Sequence, residues 1–317
     1  MGVIITAAGY SDRTVTPSTP VSVRSDAFAT GTGAVEHLAR AGRTAIDAAG
    51  VPDHEVSALI NTGVYRDSNM VEPAIGALVQ QGIGLGLEYE RTDPKVFSFD
   101  LMNGACGMLN AVQVADSLLA TTRHRRVLVV GGDTHPSTTR PDADDDFPYD
   151  TAGSALLLEQ VDGDAGFGRL HTRLGAGDPL VEGFVDGTSM GTEGRQLMTV
   201  RRTAGFDTVL LDLAESTAVG ALDEAFGAGH SDEAREGVVL ISSRPTAGFA
   251  ADLAARLRLP LAAPELTGDT HTAALAQGYR TALTAGALDS AKAILFVAAG
   301  GGPSAGAVLY RLPENLR

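Results

Sequence analysis

The feature that most restricts the fold of this chain is an internal repeat of one buried strand pattern. Val127 to Gly132 form an apolar run that ends in glycines, and Ile294 to Gly301 form a second run of the same kind. A shorter apolar strand precedes each run, Ser57 to Thr62 in the first half and Val238 to Ser243 in the second. A helix–strand order that occurs twice in one chain predicts two similar α/β units.

The repeat therefore predicts an α/β fold of two duplicated halves, divided here into residues 1–165 and 166–317. The chain has 317 residues, of which 44% are hydrophobic, so it can bury a sizeable core. Residues 103–107 and 267–272 are the junction loops of the two halves. If the halves pack about a pseudo-twofold axis, these two loops meet.

Two stretches depart from the repeated pattern. Residues 134–150 contain five aspartates and are expected to form a solvated loop, because their spacing lacks the ligand order and glycine of a Ca²⁺ loop. No metal site is expected. Residues 175–206 are rich in glycine and are predicted to be irregular.

Charge and cysteine content exclude several classes of protein. The formal net charge is −15, which argues against nucleic acid and against an anionic membrane surface as partners. A single cysteine excludes an internal disulfide. No signal segment or apolar run of about 20 residues is apparent, so a cytoplasmic protein is expected.

The single cysteine, Cys106, lies where a predicted strand gives way to a helix. Val96 to Leu101 read as the strand, Asn103-Gly104-Ala105 as a tight turn, and the spacing is helical beyond Cys106. A helix N-terminus lowers a thiol pKa and offers N–H groups to an oxyanion, so Cys106 is predicted to be a nucleophile. The alternative is a buried structural thiol.

A base for this nucleophile is sought among seven histidines. His271 stands two residues after Asp269 in the second junction loop, where a carboxylate could fix its tautomer. Asp269 could instead cap the next helix. His135 is a reserve candidate because it follows a glycine-ended strand. His171 is expected to be a strand residue. The remaining histidines are expected on the surface: His37, His54, His124 and His230.

These residues resemble the ketoacyl-ACP synthase III branch of the thiolase-fold condensing enzymes over essentially the whole chain. The resemblance rests on the segment around Cys106, the Val-Gly-Gly-Asp133 strand end, the Gly268-Asp-Thr-His-Thr-Ala-Ala274 loop and Gly300-Gly-Gly-Pro-Ser-Ala-Gly-Ala307. It implies a five-layered αβαβα thiolase-like fold. It further implies an acyl-Cys106 intermediate, with the N–H groups of Cys106 and Gly301 holding the oxyanion.

The chain departs from the family's Cys-His-Asn triad. Where the family has a histidine at the end of the strand Val238 to Ser243, this chain has Ser243-Arg-Pro-Thr246. Where the family has asparagine, it has Asp269, with His271 two residues on. An aspartate would repel the enolate of a decarboxylating malonyl thioester, whereas a His–Asp pair suits deprotonation of a hydroxyl, amine or thiol.

The resemblance and these departures together imply a ketosynthase III-like acyltransferase of natural-product biosynthesis. Its donor would be an acyl-CoA or an acyl-carrier protein, its acceptor a small molecule, and no cofactor would be tightly bound. Three alternatives stay open: a decarboxylative condensing enzyme, a thioesterase, and a degenerate partner subunit of a ketosynthase.

Family members pair as homodimers, so a homodimer is expected here. Cations near the tunnel mouth would meet the donor, although the family's tryptophan clamp for CoA cannot exist in a chain without tryptophan. Candidate substrate-binding residues are Arg66, Ser243, Arg244 and Arg256. Other arginines that could meet the donor form three groups: Arg123, Arg125 and Arg126, then Arg201 and Arg202, and finally Arg258 close to Arg256.

Overall fold

The computed structural model describes residues 1–12, 33–66, 74–87, 95–121, 125–136, 147–185, 187–188 and 198–314. Most of the aspartate-rich stretch, and the predicted surface residues Arg123 and His124, lie outside the described residues. No helix in these ranges is both long and apolar enough to cross a membrane.

The first sheet has the order β1-β5-β4-β2-β3. Its strands are Gly2–Asp12 (β1), Val56–Asn61 (β2), Phe97–Asp100 (β3), Arg126–Asp133 (β4) and Ala152–Val161 (β5). Strand β2 is parallel to β3 and β4, whereas β5 is antiparallel to both β4 and β1.

The second sheet repeats this pairing. Its strands are Gly166–Phe167 (β6), His171–Leu174 (β7), Val238–Ser242 (β10), Ala293–Gly300 (β11) and Ser304–Arg311 (β12). Strands β10 and β11 are parallel and β12 is antiparallel to β11, as in β2, β4 and β5. The repeat read from the sequence thus corresponds to repeated strand pairings.

Successive buried side chains of the central strands point to opposite faces of each sheet, and this alternation produces three core layers. Val127 and Val129 face one core while Leu128 and Val130 face another. Ile294 and Phe296 share the core of Val127, and Leu295 faces a third. One side chain in two points to each face of a strand, so each sheet is covered on both faces.

The helices fill the three layers that these cores define. They are Ala34–Ala49 (α1), Ile75–Ile83 (α2), Gly107–Thr121 (α3), Phe206–Phe226 (α4), Phe249–Leu257 (α5) and Ala274–Thr284 (α6). Helices α1 and α2 cover the first sheet, α3 and α6 lie between the sheets, and α4 and α5 cover the second. The result is the predicted αβαβα architecture.

The segment predicted to be irregular contains a β-hairpin, and that prediction was wrong. Val181–Val185 (β8) pairs antiparallel with Met198–Arg202 (β9). Only Val200 of β9 is fully buried, so the apolar alternation that marks the core strands is weak here. This hairpin matters for the site described below.

A buried hydrogen bond ties the two sheets together. The phenol oxygen of Tyr310 on β12 accepts the N–H of Ile5 on β1 at 2.9 Å, beside a bulge in β1. Tyr310 is fully buried, so its loss would leave that N–H without a partner and without access to water.

We predict that Tyr310→Phe lowers the free energy of unfolding by about 1–3 kcal/mol, the cost of an unsatisfied buried donor. Tyr279→Phe is the control, because it removes a phenol oxygen from the same aromatic cluster without taking an acceptor from a strand. Denaturant unfolding measures both. Equal losses in the two variants would contradict the role given to the Tyr310 hydroxyl.

Candidate functional site

Cys106 closes a 3₁₀ turn, Gly104–Cys106, directly before α3. Its backbone N–H donates to the Asn103 carbonyl at 3.2 Å. Its thiol is buried between the sheets, 3.8 Å from the Ala298 carbonyl oxygen and 3.8 Å from Ser304 Oγ. The strand-to-turn-to-helix placement expected from the sequence is therefore present.

The low pKa that was expected for the Cys106 thiol is not found. Burial raises the pKa of Cys106 to about 11, and hydrogen bonds from Ser304 and Gly306 offset only part of that effect. Desolvation of a thiolate outweighs the favourable helix end in the free protein. Cys106 therefore rests as a thiol and needs a proton acceptor when a thioester arrives.

His271 brings an imidazole to this turn. It opens a second 3₁₀ turn, His271–Ala273, which contacts the turn of Cys106 as the duplication predicted. A Cβ built on Gly104 would lie 3.3 Å from His271 Nε2, so the ring nitrogen faces the backbone two residues before the thiol. The structure thus brings the two predicted reactive residues into one site.

Asp133, at the end of β4, fixes the imidazole. Its Oδ2 lies 3.0 Å from His271 Nδ1 and accepts the Thr272 hydroxyl at 2.6 Å. Its Oδ1 accepts the N–H groups of Val64 and Tyr65 at 2.8 and 2.7 Å. A carboxylate on Nδ1 keeps a proton there and leaves Nε2 free as a base.

Charge sets the proton affinities of this pair. Burial opposes the charged imidazole, but the carboxylate of Asp133 outweighs it and raises the pKa of His271 above 6.5. Burial likewise opposes the Asp133 carboxylate, yet His271 and the surrounding donors lower its pKa below 3.8. Asp133 is thus ionised and polarises the imidazole towards Nε2.

Asp269 was predicted to orient the His271 ring, and that prediction was wrong. Its Oδ1 accepts the backbone N–H of His271 at 2.8 Å, while its Oδ2 pairs with the Arg202 guanidinium at 2.7 Å. His271 has φ +46, a conformation that costs a non-glycine residue about 1 kcal/mol or more. Asp269 thus stabilises the strained loop and not the imidazole tautomer.

Aromatic rings hold the face of the imidazole. Tyr149 stacks on His271 with ring centroids 4.1 Å apart and planes 21° apart, and Tyr65 lies 5.7 Å away. Arg202 lies over Tyr149 and over Phe206, at 5.6 and 4.9 Å from the ring centroids. The imidazole plane is fixed from its face as well as from its Nδ1 edge.

The Gly-rich turn after β11 lies beside Cys106 and beneath the hairpin β8–β9. A Cβ on Gly300 would approach the Ala105 nitrogen to 3.6 Å, so this turn flanks the nucleophile loop closely. The Gly301 carbonyl accepts the Leu180 N–H at 2.6 Å, and Val181 leaves no room for a side chain on Gly301. The role of the Gly301 N–H in an oxyanion hole stays a prediction.

Ser243 and Arg244 serve the interior of the site. Ser243 Oγ accepts the Ala299 N–H at 3.0 Å, which joins β10 to β11. The Arg244 guanidinium is buried behind the histidine loop, where it donates to the Gly268 carbonyl at 3.2 Å and to Gln277 Oε1 at 2.5 Å. Both residues support the loops of the site, and their assignment to substrate binding stays a prediction.

The remaining predicted cations divide between site and surface. Arg66 points to Met102 Sδ at 3.8 Å, on the loop before Cys106. Arg256 lies on the surface of α5 and pairs with Asp212 and Glu215 of α4, and its assignment to substrate binding stays a prediction. Arg126 and Arg258 also pair with acidic neighbours.

One of the histidine predictions is wrong, that for His37. His37 was expected on the surface but is buried in α1, with Nδ1 3.1 Å from Ser11 Oγ. His135, the reserve base, packs on Phe147 with centroids 4.9 Å apart. His171 pairs with Glu224 at 2.9 Å.

Three residues of the site were not predicted from the sequence: Asp133, Tyr149 and, as the partner of Asp269, Arg202. Asp133 could have been predicted from the repeat. It directly follows the glycine-ended run Val127 to Gly132, and the matching run Ile294 to Gly301 ends in the Gly-rich turn of the site. Tyr149 and Arg202 lie in the two segments that depart from the repeated pattern, residues 134–150 and 175–206. No periodicity there indicates which way a side chain points.

We predict that Gly104→Ala reduces acylation of Cys106 by at least about tenfold, because the new methyl would displace His271 Nε2 and misplace a catalytic group. Gly50→Ala is the matched control: Gly50 also has positive φ, but nothing lies within 4 Å of the position that its new methyl would take. Stopped-flow acylation and thermal unfolding separate the effects. Similar rates in both variants would contradict the placement of His271.

Comparison with known proteins agrees with this geometry. The family model described as 3-Oxoacyl-[acyl-carrier-protein (ACP)] synthase III matches residues 99–177, which include Cys106 and Asp133. A beta-ketoacyl-[acyl-carrier-protein] synthase III of Erythrobacter litoralis is 28% identical over 280 residues, covering 86% of this chain and 82% of its own.

Solved structures agree in fold. The 3-oxoacyl-(acyl carrier protein) synthase III FabH from Pseudomonas aeruginosa superposes with a TM-score of 0.77 at 18% identity, over 99% of each chain. The priming β-ketosynthase of the R1128 polyketide pathway gives 0.71 at 18% identity, over 98% of this chain and 96% of its own. The chain thus has the thiolase-like fold, and its sequence is similar to that of beta-ketoacyl-[acyl-carrier-protein] synthase III proteins over most of its length.

Proposed function

We propose that the protein is an acyltransferase that passes an acyl group from a thioester, through Cys106, to a hydroxyl, amine or thiol of a small acceptor. The donor is an acyl-CoA or an acyl-carrier protein, and the names of its relatives mention the acyl-carrier protein. The observation that carries the proposal is the Asp133–His271 pair, a polarised base whose free nitrogen faces the Cys106 turn.

In the first step the thiol of Cys106 gives its proton to His271 Nε2, and the sulfur attacks the donor carbonyl carbon. The C–S bond of the donor breaks, and the departing thiolate takes the proton from His271. The N–H groups of Cys106 and Gly301 would hold the oxyanion of the intermediate, which requires the Cys106 N–H to turn from the Asn103 carbonyl that it contacts in the free protein. An acyl-Cys106 thioester and a neutral imidazole result.

In the second step the acceptor replaces the departed thiol. His271 Nε2 takes a proton from the acceptor heteroatom, which attacks the acyl carbon, and the bond to Cys106 Sγ breaks. The sulfur then recovers the proton from His271. The raised pKa of His271 strengthens it as a base, and Asp133 stabilises the imidazolium that forms in each step.

Decarboxylative condensation is the alternative that the relatives' names favour. The argument against condensation is the number of hydrogen-bond donors that can reach the substrate carbonyl. The family's histidine at the end of the strand Val238 to Ser243 is absent here, and Ser243 and Arg244 stand in its place. Ser243 Oγ bonds to β11, and Arg244 is buried behind the loop. A single imidazole would then have to donate the only side-chain hydrogen bond to the malonyl thioester carbonyl as the enolate forms. This favours acyl transfer over condensation.

The edge strand β3 supports the proposed homodimer. It ends the first sheet as far as the described residues go, and Phe97 is 53% exposed while its ring lies 5.1 Å from that of Phe99. Leu87 and Met102 are exposed apolar residues of the flanking loops. An apolar edge strand is a template for pairing with another copy.

We predict that His271→Ala forms acyl-Cys106 slowly and then stalls, with transfer to the acceptor reduced on the order of 10²–10⁴-fold, the usual contribution of a general base. Cys106→Ala should form no adduct. Intact-protein mass spectrometry over time, with a panel of acyl-CoAs and acyl-carrier proteins, measures both. Normal turnover by His271→Ala would exclude it as the base.

We predict a transfer rate that rises with pH through a midpoint above 6.5, because the base must be neutral and its pKa is raised. Asp133→Asn removes the carboxylate that raises it, so the midpoint should move to lower pH while the maximal rate falls. Asp100→Asn is the control, since that carboxylate accepts the N–H groups of Ile75 and Gly76 instead. An unshifted profile in Asp133→Asn would contradict the assigned pair.

We predict that light scattering gives twice the 32.6 kDa chain mass, and that Phe97→Glu yields monomer by placing a charge on the pairing edge. Val219→Glu, on an exposed apolar position of α4, is the control. A dimer that survives Phe97→Glu would argue for another interface.

A further inference from the structure

One arginine that the proposed chemistry does not use contacts two of the groups that hold the base. Arg202 ends strand β9 of the hairpin, and its Nη2 donates to Asp269 Oδ2 at 2.7 Å. Its guanidinium also lies over the ring of Tyr149, 5.6 Å from the centroid. Asp269 accepts the backbone N–H of His271, and Tyr149 stacks on the imidazole. Arg202 is therefore connected to the base by two routes, through the loop backbone and through the ring face.

The backbone route depends on charge. Asp269 is buried, and the residue whose N–H it accepts at 2.8 Å, His271, has φ +46, which persists only where the surroundings enforce it. Without Arg202 the buried carboxylate would take up a proton or turn to another donor, and it would then accept the His271 N–H less strongly. Arg244 does not substitute for Arg202, because its own guanidinium donates to Gln277.

The ring route depends on packing. The guanidinium of Arg202 contacts two aromatic rings, with Phe206 at 4.9 Å and Tyr149 at 5.6 Å from the centroids. Its Nη2 also donates to the Pro148 carbonyl at 3.4 Å, directly before Tyr149 in the chain. An arginine can stack on a ring and form directed hydrogen bonds at the same time, which a lysine cannot do. Arg202 thus restrains both the ring and the backbone of the residue that covers the imidazole.

The hairpin that carries Arg202 also holds the Gly-rich turn. The Leu180 N–H donates to the Gly301 carbonyl at 2.6 Å, and Val181 packs directly on Gly301. Thr203, which follows Arg202, donates its N–H to the Leu180 carbonyl at 2.9 Å. The histidine loop and the Gly-rich turn are therefore held by neighbouring residues of one hairpin, which fixes their relative position.

We propose that Arg202 is a positioning residue for the base His271. It holds the loop backbone through Asp269 and the imidazole plane through Tyr149, which keeps Nε2 directed at the turn of Cys106. The inference rests on the acyltransferase function proposed above, in which His271 takes the proton of the Cys106 thiol. Arg202 itself moves no proton in this role.

Alkylation of Cys106 by iodoacetamide tests this role without an acyl donor or an acceptor. The sulfur bonds to the reagent's carbon and displaces iodide, and the thiol proton goes to His271 Nε2. Cys106 is the only cysteine, so its mass adduct on the whole purified protein reports this reaction. We expect Arg202→Met to slow alkylation at least about tenfold because the base is misplaced, and His271→Ala to slow it at least as much.

The effect of Arg202 should require the imidazole. In His271→Ala, the further change Arg202→Met should alter the alkylation rate by less than about twofold, because no base is left to position. Arg201→Met is the matched control. Arg201 precedes Arg202 in β9 and loses the same charge, but it pairs with Glu182 on the exposed side of the hairpin, so its rate should be unchanged.

Three results would overturn the proposal. The first is an unchanged rate in Arg202→Met, and the second is an equal loss in Arg201→Met, which would make overall charge the cause. The third is an equal loss with and without the imidazole, since Arg202 would then act on the thiol itself or on access to it. If thermal unfolding shows that Arg202→Met does not fold, Arg202→Lys gives the same comparison, because it keeps a cation for Asp269. Its loss should be smaller and should also disappear in His271→Ala.

This measurement separates the two proposals. If His271→Ala slows alkylation and Arg202→Met does not, the base stands and the positioning role falls. If Arg202→Met slows alkylation only when the imidazole is present, but no acyl-CoA or acyl-carrier protein acylates Cys106, the positioning role stands and the acyltransferase function falls. If the unaltered protein is alkylated no faster than His271→Ala, both fall.

Discussion

The site depends on one buried carboxylate, that of Asp133. It ends a strand of the first sheet, yet four of its partners lie on loops that come from both halves of the chain: Val64, Tyr65, His271 and Thr272. A fully buried carboxylate is tolerated only when its oxygens are satisfied, so the placement of the imidazole depends on loops of both halves being in place. The duplication is what brings these partners together, because it sets the two 3₁₀ turns face to face.

A second ion pair alters how the negative charge near the site should be understood. The sequence argument held that Asp269 would repel an enolate. In the structure Arg202 pairs with it at 2.7 Å, and its other oxygen accepts the His271 N–H. Its charge is balanced and directed at the loop backbone. Under the proposed acyl transfer, the difference from a condensing site lies at Ser243 and Arg244, which stand where a second hydrogen-bond donor to the substrate is expected. The acidic partner of His271 is Asp133.

Much of the fold followed from the sequence, because alternation and helical spacing are strong in buried elements. The Cys106 strand and helix lie where the pattern placed them. The site followed only in part. His271 and Cys106 were found from loop position and chemistry, but the partner of the imidazole is fixed by a contact between residues 133 and 271, which no local pattern encodes. The thiol pKa also depends on burial by β11 and β12, a tertiary effect that outweighs the local helix end.

The central claim is that acyl-Cys106 gives its acyl group to a heteroatom and not to a carbon nucleophile. Incubation of the acylated protein with malonyl thioester labelled with ¹³C in its free carboxyl group, with the labelled CO₂ measured by mass spectrometry, tests it most directly. We predict no labelled CO₂ above the Cys106→Ala background, and transfer when a small molecule with a hydroxyl, amine or thiol group is then added. Release of labelled CO₂ in step with a 3-oxoacyl product would contradict it.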